Sequence, residues 1–239
     1  MSRIDSEALL VRTVDVGESD VIATLVTEQA GKVSAIVRGA RRGSRRIGGA
    51  LEPVHTVAVM LEDRGGELTT MKEARIVRTR PRVVESLDAL EAAGVALRWA
   101  RHLFPPRTPE PQGWSALIRL LDALDGERAS PKTELARVGL ALLAAVGYGL
   151  ELERCVVCGR QCPKEKPAGV DPRRGGLVCR SCGGASAIVS ASVRAAARAL
   201  VEGPRLDADT HAPDVNEADA RVLLQLVDRS MAAHAGFER

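Results

Sequence analysis

The chain has 239 residues, 45% of them hydrophobic and 27% charged, with a formal charge of +3. That length predicts one or two domains with enough chain to bury a core, and the composition excludes wholesale disorder. No apolar run approaches the roughly 18 residues of a membrane span. The start, Met-Ser-Arg-Ile-Asp, does not read as a secretory signal, so a cytoplasmic setting is expected.

Short runs rich in Val, Ile, Leu and Thr predict strands over Glu7–Val14, Asp20–Thr27, Gly31–Arg38, Pro53–Glu62 and Gly66–Arg78. Turn signals at Gly17, Gly31, Gly39 and Gly65-Gly66 bound most of them. In the third run Val33, Ala35 and Val37 alternate with Ser34, Ile36 and Arg38, which gives one buried face and one mixed face. Five short strands in so little chain predict a small sandwich or closed barrel. Gly39 to Gly49 is too polar for a strand and reads as a mobile loop, and Glu62-Asp63 reads as a solvated strand end.

After Thr79-Arg80-Pro81 the apolar period changes. Val83, Leu87, Leu90, Leu97 and Phe104 fall on one face of a first helix, stopped by Pro105-Pro106. Leu117, Leu121 and Leu124 mark a second helix. Ser130-Pro131 is a cap and first-turn pair for a third, with Leu135, Val138, Leu142, Val146 and Leu150 inward. Two more helices are expected at Ser190–Glu202 and from Asn216 to about Ala235, where Asn216 and Asp219 form a capping arrangement. The sequence thus predicts an α+β chain with a β domain at 1–80 and a helical domain at 81–239, the latter interrupted by a cysteine element at about 151–186.

That element contains Cys155-Val-Val-Cys158-Gly159 and Cys179-Arg-Ser-Cys182-Gly183, two Cys-x-x-Cys units 20 residues apart. Such spacing lets four thiolates meet one tetrahedral zinc ion, and the glycines suit the left-handed turn each unit needs. Disulfides and a redox dithiol compete, but neither accounts for two matched pairs as economically. Four thiolates leave no position for water or substrate, so the expected Zn2+ is structural. Cys162 is a fifth, loop cysteine. The histidines His55, His102, His211 and His234 are scattered, and no nucleotide-binding or hydrolase motif is present. No enzymatic activity is therefore expected.

Basic residues are mostly Arg, 29 against 5 Lys. Between Glu28 and Glu52 there is no acid, while Lys32, Arg38, Arg41, Arg42, Arg45 and Arg46 supply six positive charges. A solvated charged loop would look similar, but a cluster of this kind is suited to nucleic-acid phosphates, bound without sequence preference. Residues 1–80 contain no Phe, Trp or Tyr, so base stacking on aromatic rings is not available there.

The stretch Gly17–Lys32, followed by Val37-Arg-Gly-Ala-Arg-Arg42 and Leu51-Glu-Pro-Val54, resembles the N-terminal domain of the bacterial RecO family, and the order of parts matches along the whole chain. The resemblance implies an OB-fold, a helical domain with an inserted zinc element, and no enzyme. It implies a mediator of DNA repair and recombination that binds single- and double-stranded DNA, anneals complementary strands and helps load RecA onto strands coated by single-strand-binding protein (SSB). The implied partners are RecR and the acidic C-terminal tail of SSB. It places the zinc ligands at Cys155, Cys158, Cys179 and Cys182, and the DNA-binding region at Lys32, Arg38, Arg41 and Arg42, continuing to Arg45 and Arg46. Arg98, Arg101 and Arg119 would suit the SSB tail, and each is equally a solvated helix charge. A zinc-stabilised adaptor whose OB domain binds only protein is the alternative.

Overall fold

Along β3 (Gly31–Val37), Val33, Ala35 and Val37 are buried while Lys32, Ser34 and Ile36 are half-buried, the alternation its sequence predicts. The computed structural model describes residues 2–42, 47–127, 130–185, 187–202 and 215–235. With β1 (Ser2–Val16), β2 (Asp20–Thr27), β4 (Thr56–Asp63) and β5 (Thr69–Arg78), β3 closes a barrel in the order β1-β2-β3-β5-β4, and β1 also pairs with β4. This is the five-stranded OB barrel. Its interior is aliphatic: Ala8, Leu10, Ala23, Leu25, Val33, Ala35, Val57 and Leu61 are among the residues that fill it. Small side chains allow so narrow a barrel to close without voids.

The segment after β3 is less loop-like than its polarity suggests. Residues 40–42 and 48–51 form 3-10 turns, and Ile47 and Ala50 join the barrel core. Arg45 and Arg46 lie outside the described residues.

Strand β3 meets β5 in parallel over only two residue pairs, Ala35 with Thr69 and Ile36 with Thr70. At the start of its edge lies the strap Pro105–Thr108, where the Arg107 N–H donates to the Lys32 carbonyl at 2.9 Å. Gly31 makes that approach possible: a Cβ there would lie 1.9 Å from the Thr108 carbonyl oxygen. The Arg107 guanidinium donates to Asp63 and to the Gly66 carbonyl. Glu62 is only 8% exposed and pairs with Arg64 and Lys72. Glu62-Asp63 is therefore a fastening point and not a solvated end.

The single helix expected over 83–104 is two, α1 (Pro81–Glu85) and α2 (Leu87–Leu103), broken at extended Ser86. Leu87 and Leu90 are exposed, whereas Ala89, Ala92, Ala93, Ala96, Trp99 and Ala100 are buried with Leu97. Alanine lets α2 lie close to its neighbours, so its inner face is set by Ala and not by the bulkier Leu stripe. Helix α3 (Pro111–Leu124) follows, with Gly113 against the Phe104 ring.

Arg80, wholly buried, joins barrel to helices. Its guanidinium donates to Asp122 of α3 at 2.9 and 3.0 Å, to the Val54 carbonyl at 2.8 Å and to the Thr56 hydroxyl at 3.0 Å. Its N–H donates to His55 Nδ1 at 3.2 Å, in a bend before β4 and not in the expected strand. The barrel strands end at Arg78, but by packing the chain forms two compact units, residues 1–128 and 129–239, the first of which includes α1 to α3.

In the second unit α4 (Pro131–Ala145) packs on α5 (Ala191–Glu202) and α6 (Glu217–Ala235). Ser130 and Pro131 open α4 as predicted, although the Ser130 side chain makes no capping bond, and the helix ends before Val146 and Leu150. The Asn216 cap is present: the Asp219 N–H donates to Asn216 Oδ1 at 2.8 Å. Between α4 and α5 lies a small sheet in the order β6-β8-β7-β9, from β6 (Glu151–Cys155), β7 (Ala168–Asp171), β8 (Gly176–Leu177) and β9 (Ala187–Val189). No helix among the described residues is long and apolar enough to cross a membrane.

Candidate metal centre and nucleic-acid interface

Cys155 ends β6 and Cys158 sits in the turn after it, while Cys179 precedes and Cys182 ends the 3-10 turn following β8. Both second-cysteine glycines are left-handed, Gly159 at φ 71° and Gly183 at φ 100°. Each turn closes on its own backbone, with the Gly159 N–H on the Cys155 carbonyl at 2.8 Å and the Cys182 N–H on the Cys179 carbonyl at 2.9 Å. The four Sγ atoms lie within 4.8 Å of one another. A tetrahedron with metal–sulfur bonds of ~2.3 Å has edges of ~3.8 Å. The Cys158 and Cys179 sulfurs are 3.8 Å apart, so the donor set fits one tetrahedral ion.

The electrostatics also favour a cation. Backbone N–H groups of Cys179 and Cys158 hold the Cys155 thiol down at about 6. Cys179 is lowered as well, first by the Ser181 hydroxyl. Beside them Cys182 is pushed up to about 12, chiefly by hydrogen bonding to Cys179 and Cys158. Thiolates this close oppose further ionisation unless a positive ion stands between them. Cys162 is outside the cluster.

One residue that holds this element gave no signal in the sequence. Arg194 of α5 is 2% exposed and, among the described residues, has no carboxylate partner. Its guanidinium donates instead to four main-chain carbonyls, Leu152 at 3.0 Å, Pro163 at 2.7 Å, Lys166 at 2.8 Å and Cys162 at 3.3 Å. These carbonyls belong to both sides of the cysteine turn, so α5 clamps the element.

The basic window of the barrel is divided between two places. Arg38 is exposed at the end of β3, and Arg41 is exposed in the next turn, 3.9 Å from Asp15. The Arg41 N–H is held by the Ser19 carbonyl at 3.1 Å, and Asp20 holds the Gly39 N–H at 2.9 Å. Arg42 closes the same turn. Lys32 stands at the opposite end of β3, about 20 Å away at ~3.3 Å per residue. It is half-buried, its ammonium donates to the Arg101 carbonyl at 2.6 Å, and burial followed by the Arg101 charge lowers its pKa. Lys32 therefore fastens α2 to the barrel, at the far end of the same outer face of β3 on which Arg38 lies. Arg119 is exposed on α3.

The chain is thus an α+β protein in which an OB barrel with a cationic turn is followed by a four-cysteine element able to hold a metal ion. Residues 1–80 match the family described as Recombination protein O N terminal, and residues 84–239 match Recombination protein O C terminal. The "DNA repair protein RecO" of Myxococcus xanthus is 34% identical over 239 residues, covering 99% of this chain and 94% of its own length. That of Geobacter sulfurreducens is 35% identical over 238 residues, covering 98% and 93%. That of Rubrobacter xylanophilus is 37% identical over 183 residues, covering 76% and 72%. The chain belongs to the RecO family of DNA repair and recombination proteins.

Proposed function

We propose that the barrel binds DNA backbones through Arg38, Arg41 and Arg42, with Arg45 and Arg46 as further contacts, and that it anneals complementary strands. The exposed Arg38–Arg41 turn on a barrel without a single aromatic side chain carries this reading. Guanidinium groups neutralise phosphates and release counterions, which gives affinity without sequence preference. Screening the repulsion between two strands lowers the barrier to their pairing, and no bond need be made or broken. In the setting of its family the chain would load RecA onto SSB-coated DNA with RecR, using the SSB tail as a docking segment. Zinc is the metal best matched to four thiolates and a closed site, and it would serve to hold the fold of residues 151–186.

The decisive experiment is annealing of complementary oligonucleotides, with and without SSB, for wild type and for a variant with Arg38, Arg41, Arg42, Arg45 and Arg46 all changed to Ala. Wild type should anneal without nucleotide. The variant should lose most of its affinity, and its salt slope should fall by about 0.7 for every single-strand phosphate contact removed. Unchanged affinity and slope would sink the phosphate role. Binding of an SSB tail peptide without any binding of DNA would support the adaptor instead.

A further inference from the structure

The outer face of β1, β2 and β3 has a composition that neither the basic turn nor the strap explains. The registers place side chains in rows across the three strands. Leu9, Val26 and Lys32 form one row, Arg12, Thr24 and Ser34 the next, and Val14, Ile22 and Ile36 a third. Leu9 and Val26 point away from the barrel core yet are buried, because α2 packs across this part of the sheet. Beyond the end of α2 the face is open: Arg12 is exposed, Val14 is 40% exposed, and Ile22 and Ile36 are partly so.

A bulge creates this arrangement. The register of β1 against β2 shifts between Leu10 and Arg12. Strict alternation from Leu10, which is in the core, would send Arg12 into the barrel as well; the extra residue, Val11, turns it outward. There it approaches the C-terminal end of α2, where Arg98 is exposed and Arg101 half-buried. Arg101 donates towards His102 Nε2 at 2.9 Å, and Lys32 holds the Arg101 carbonyl from below. The charges act on one another. Burial, then Arg12 and Arg98, lower Arg101; burial, then Arg101, Lys32, Arg98 and Arg12, lower His102. Concentrating like charges at one helix end carries a cost that an anion would relieve.

We infer that Arg12, Arg98 and Arg101 form a second phosphate site, so that a single DNA strand runs along the outer face of β1–β3 between this site and the Arg38–Arg41 turn. The inference rests on the DNA-binding reading above and adds to it a path and a substrate form. The register sets Arg12 level with Ser34, about 13 Å of β3 from Arg38, and Lys32, which holds Arg101, about 20 Å from it. That span suits the low end of the roughly 4–16 nucleotides that OB barrels cover. Between them lies the floor of Val14, Ile22 and Ile36, with Thr24 and Ser34 beside it. Unpaired bases can cover an aliphatic floor, whereas a duplex presents phosphates and sugars outward and would leave it wet. The face therefore selects single strands, and does so by apolar contact in place of aromatic stacking.

The test is a double charge reversal, Arg12→Glu with Arg98→Glu, both at exposed positions and checked for an unchanged melting temperature. Affinity for a labelled oligo-dT of about 12 nucleotides is read across a salt series, beside a duplex of equal length. The expected result is a loss of at least tenfold on the single strand, a salt slope shallower by about 1.4, and a smaller loss on the duplex. A second variant, Val14→Ser with Ile36→Ser, should weaken single-strand binding with no change in slope. If wild type binds DNA and the Arg38/Arg41 substitutions abolish binding while the double reversal has no effect, the second site is refuted and the DNA reading survives. Equal losses on single strand and duplex would refute the single-strand path. Loss confined to an acidic tail peptide would make the patch a peptide dock and overturn it as a DNA site. A wild-type protein that binds no DNA would overturn both readings together.

Discussion

Gly31 and Gly39 share a left-handed backbone, both at φ +66°, but differ in their surroundings. Nothing lies within 4 Å of a Cβ at Gly39, while at Gly31 the Thr108 backbone is in the way. Gly39→Ala should thus cost only the conformational term, about 1–2 kcal/mol. Gly31→Ala adds a clash with main chain that cannot move without lifting the strap, for a total of about 2–5 kcal/mol. Denaturant melts of the two variants would separate these contributions, and equal losses would show that the strap yields. Arg80 and Asp122 offer a second asymmetric pair. Asp122 also receives Arg78 at 2.8 Å, so Arg80→Met leaves the carboxylate with a partner and costs about 1–3 kcal/mol for the stranded acceptors. Asp122→Ala leaves a wholly buried guanidinium without its only carboxylate among the described residues, and should cost more, about 3–5 kcal/mol. Equal effects in the two melts would deny that the buried cation is the sensitive partner. Neither Arg80 nor Arg194 announced itself in the sequence, because each is satisfied by groups distant along the chain.

At the scale of elements, the cysteine segment is the one whose proposed support, a metal ion, comes from outside the chain. Four thiols within 4.8 Å should take up one metal ion per chain, and a strong chelator should lower the melting temperature of the protein. The proton balance has a definite sign. In the metal-free site near neutral pH Cys155, at about 6, is already a thiolate, while Cys182, at about 12, still holds its proton. Metal binding must expel that proton, so affinity should fall as pH falls, more steeply below about 6 where Cys155 also protonates. Chelator competition across pH, with calorimetry in buffers of different ionisation enthalpy, measures this directly; pH-independent affinity would contradict it. This element was legible from spacing alone, down to the left-handed glycines, because ligand geometry is local. The barrel strands were legible for a similar reason, since period-two alternation survives in Val33–Val37. Helix α2 was not. Its inner face is built of alanines, which a search for large apolar residues passes over, and Leu87 and Leu90 were placed inside when both are exposed. The split of the basic window was equally hidden, because it depends on Lys32 meeting Arg101, 69 residues away.

For the whole molecule, the proposed function is one of binding and not of turnover. A pure preparation should show no DNA-stimulated ATP hydrolysis, and measurable hydrolysis would overturn that reading. The division of the chain matters more for how it can be handled. The family descriptions meet between residues 80 and 84, whereas packing closes the first unit only at residue 128. The difference lies in the ties from α1–α3 to the barrel, Arg80 with Asp122, Lys32 with Arg101, and the strap at Pro105–Thr108, which lies on the β3 edge that β5 leaves unpaired. A fragment cut at residue 80 would present that edge, with its free carbonyl at Lys32, to any other extended chain. It should therefore self-associate with rising concentration, whereas a fragment extending to residue 128 should sediment as a monomer. The short piece from the helical half is thus also a guard, keeping a strand whose face is proposed to stay open to nucleic acid from recruiting protein along its side.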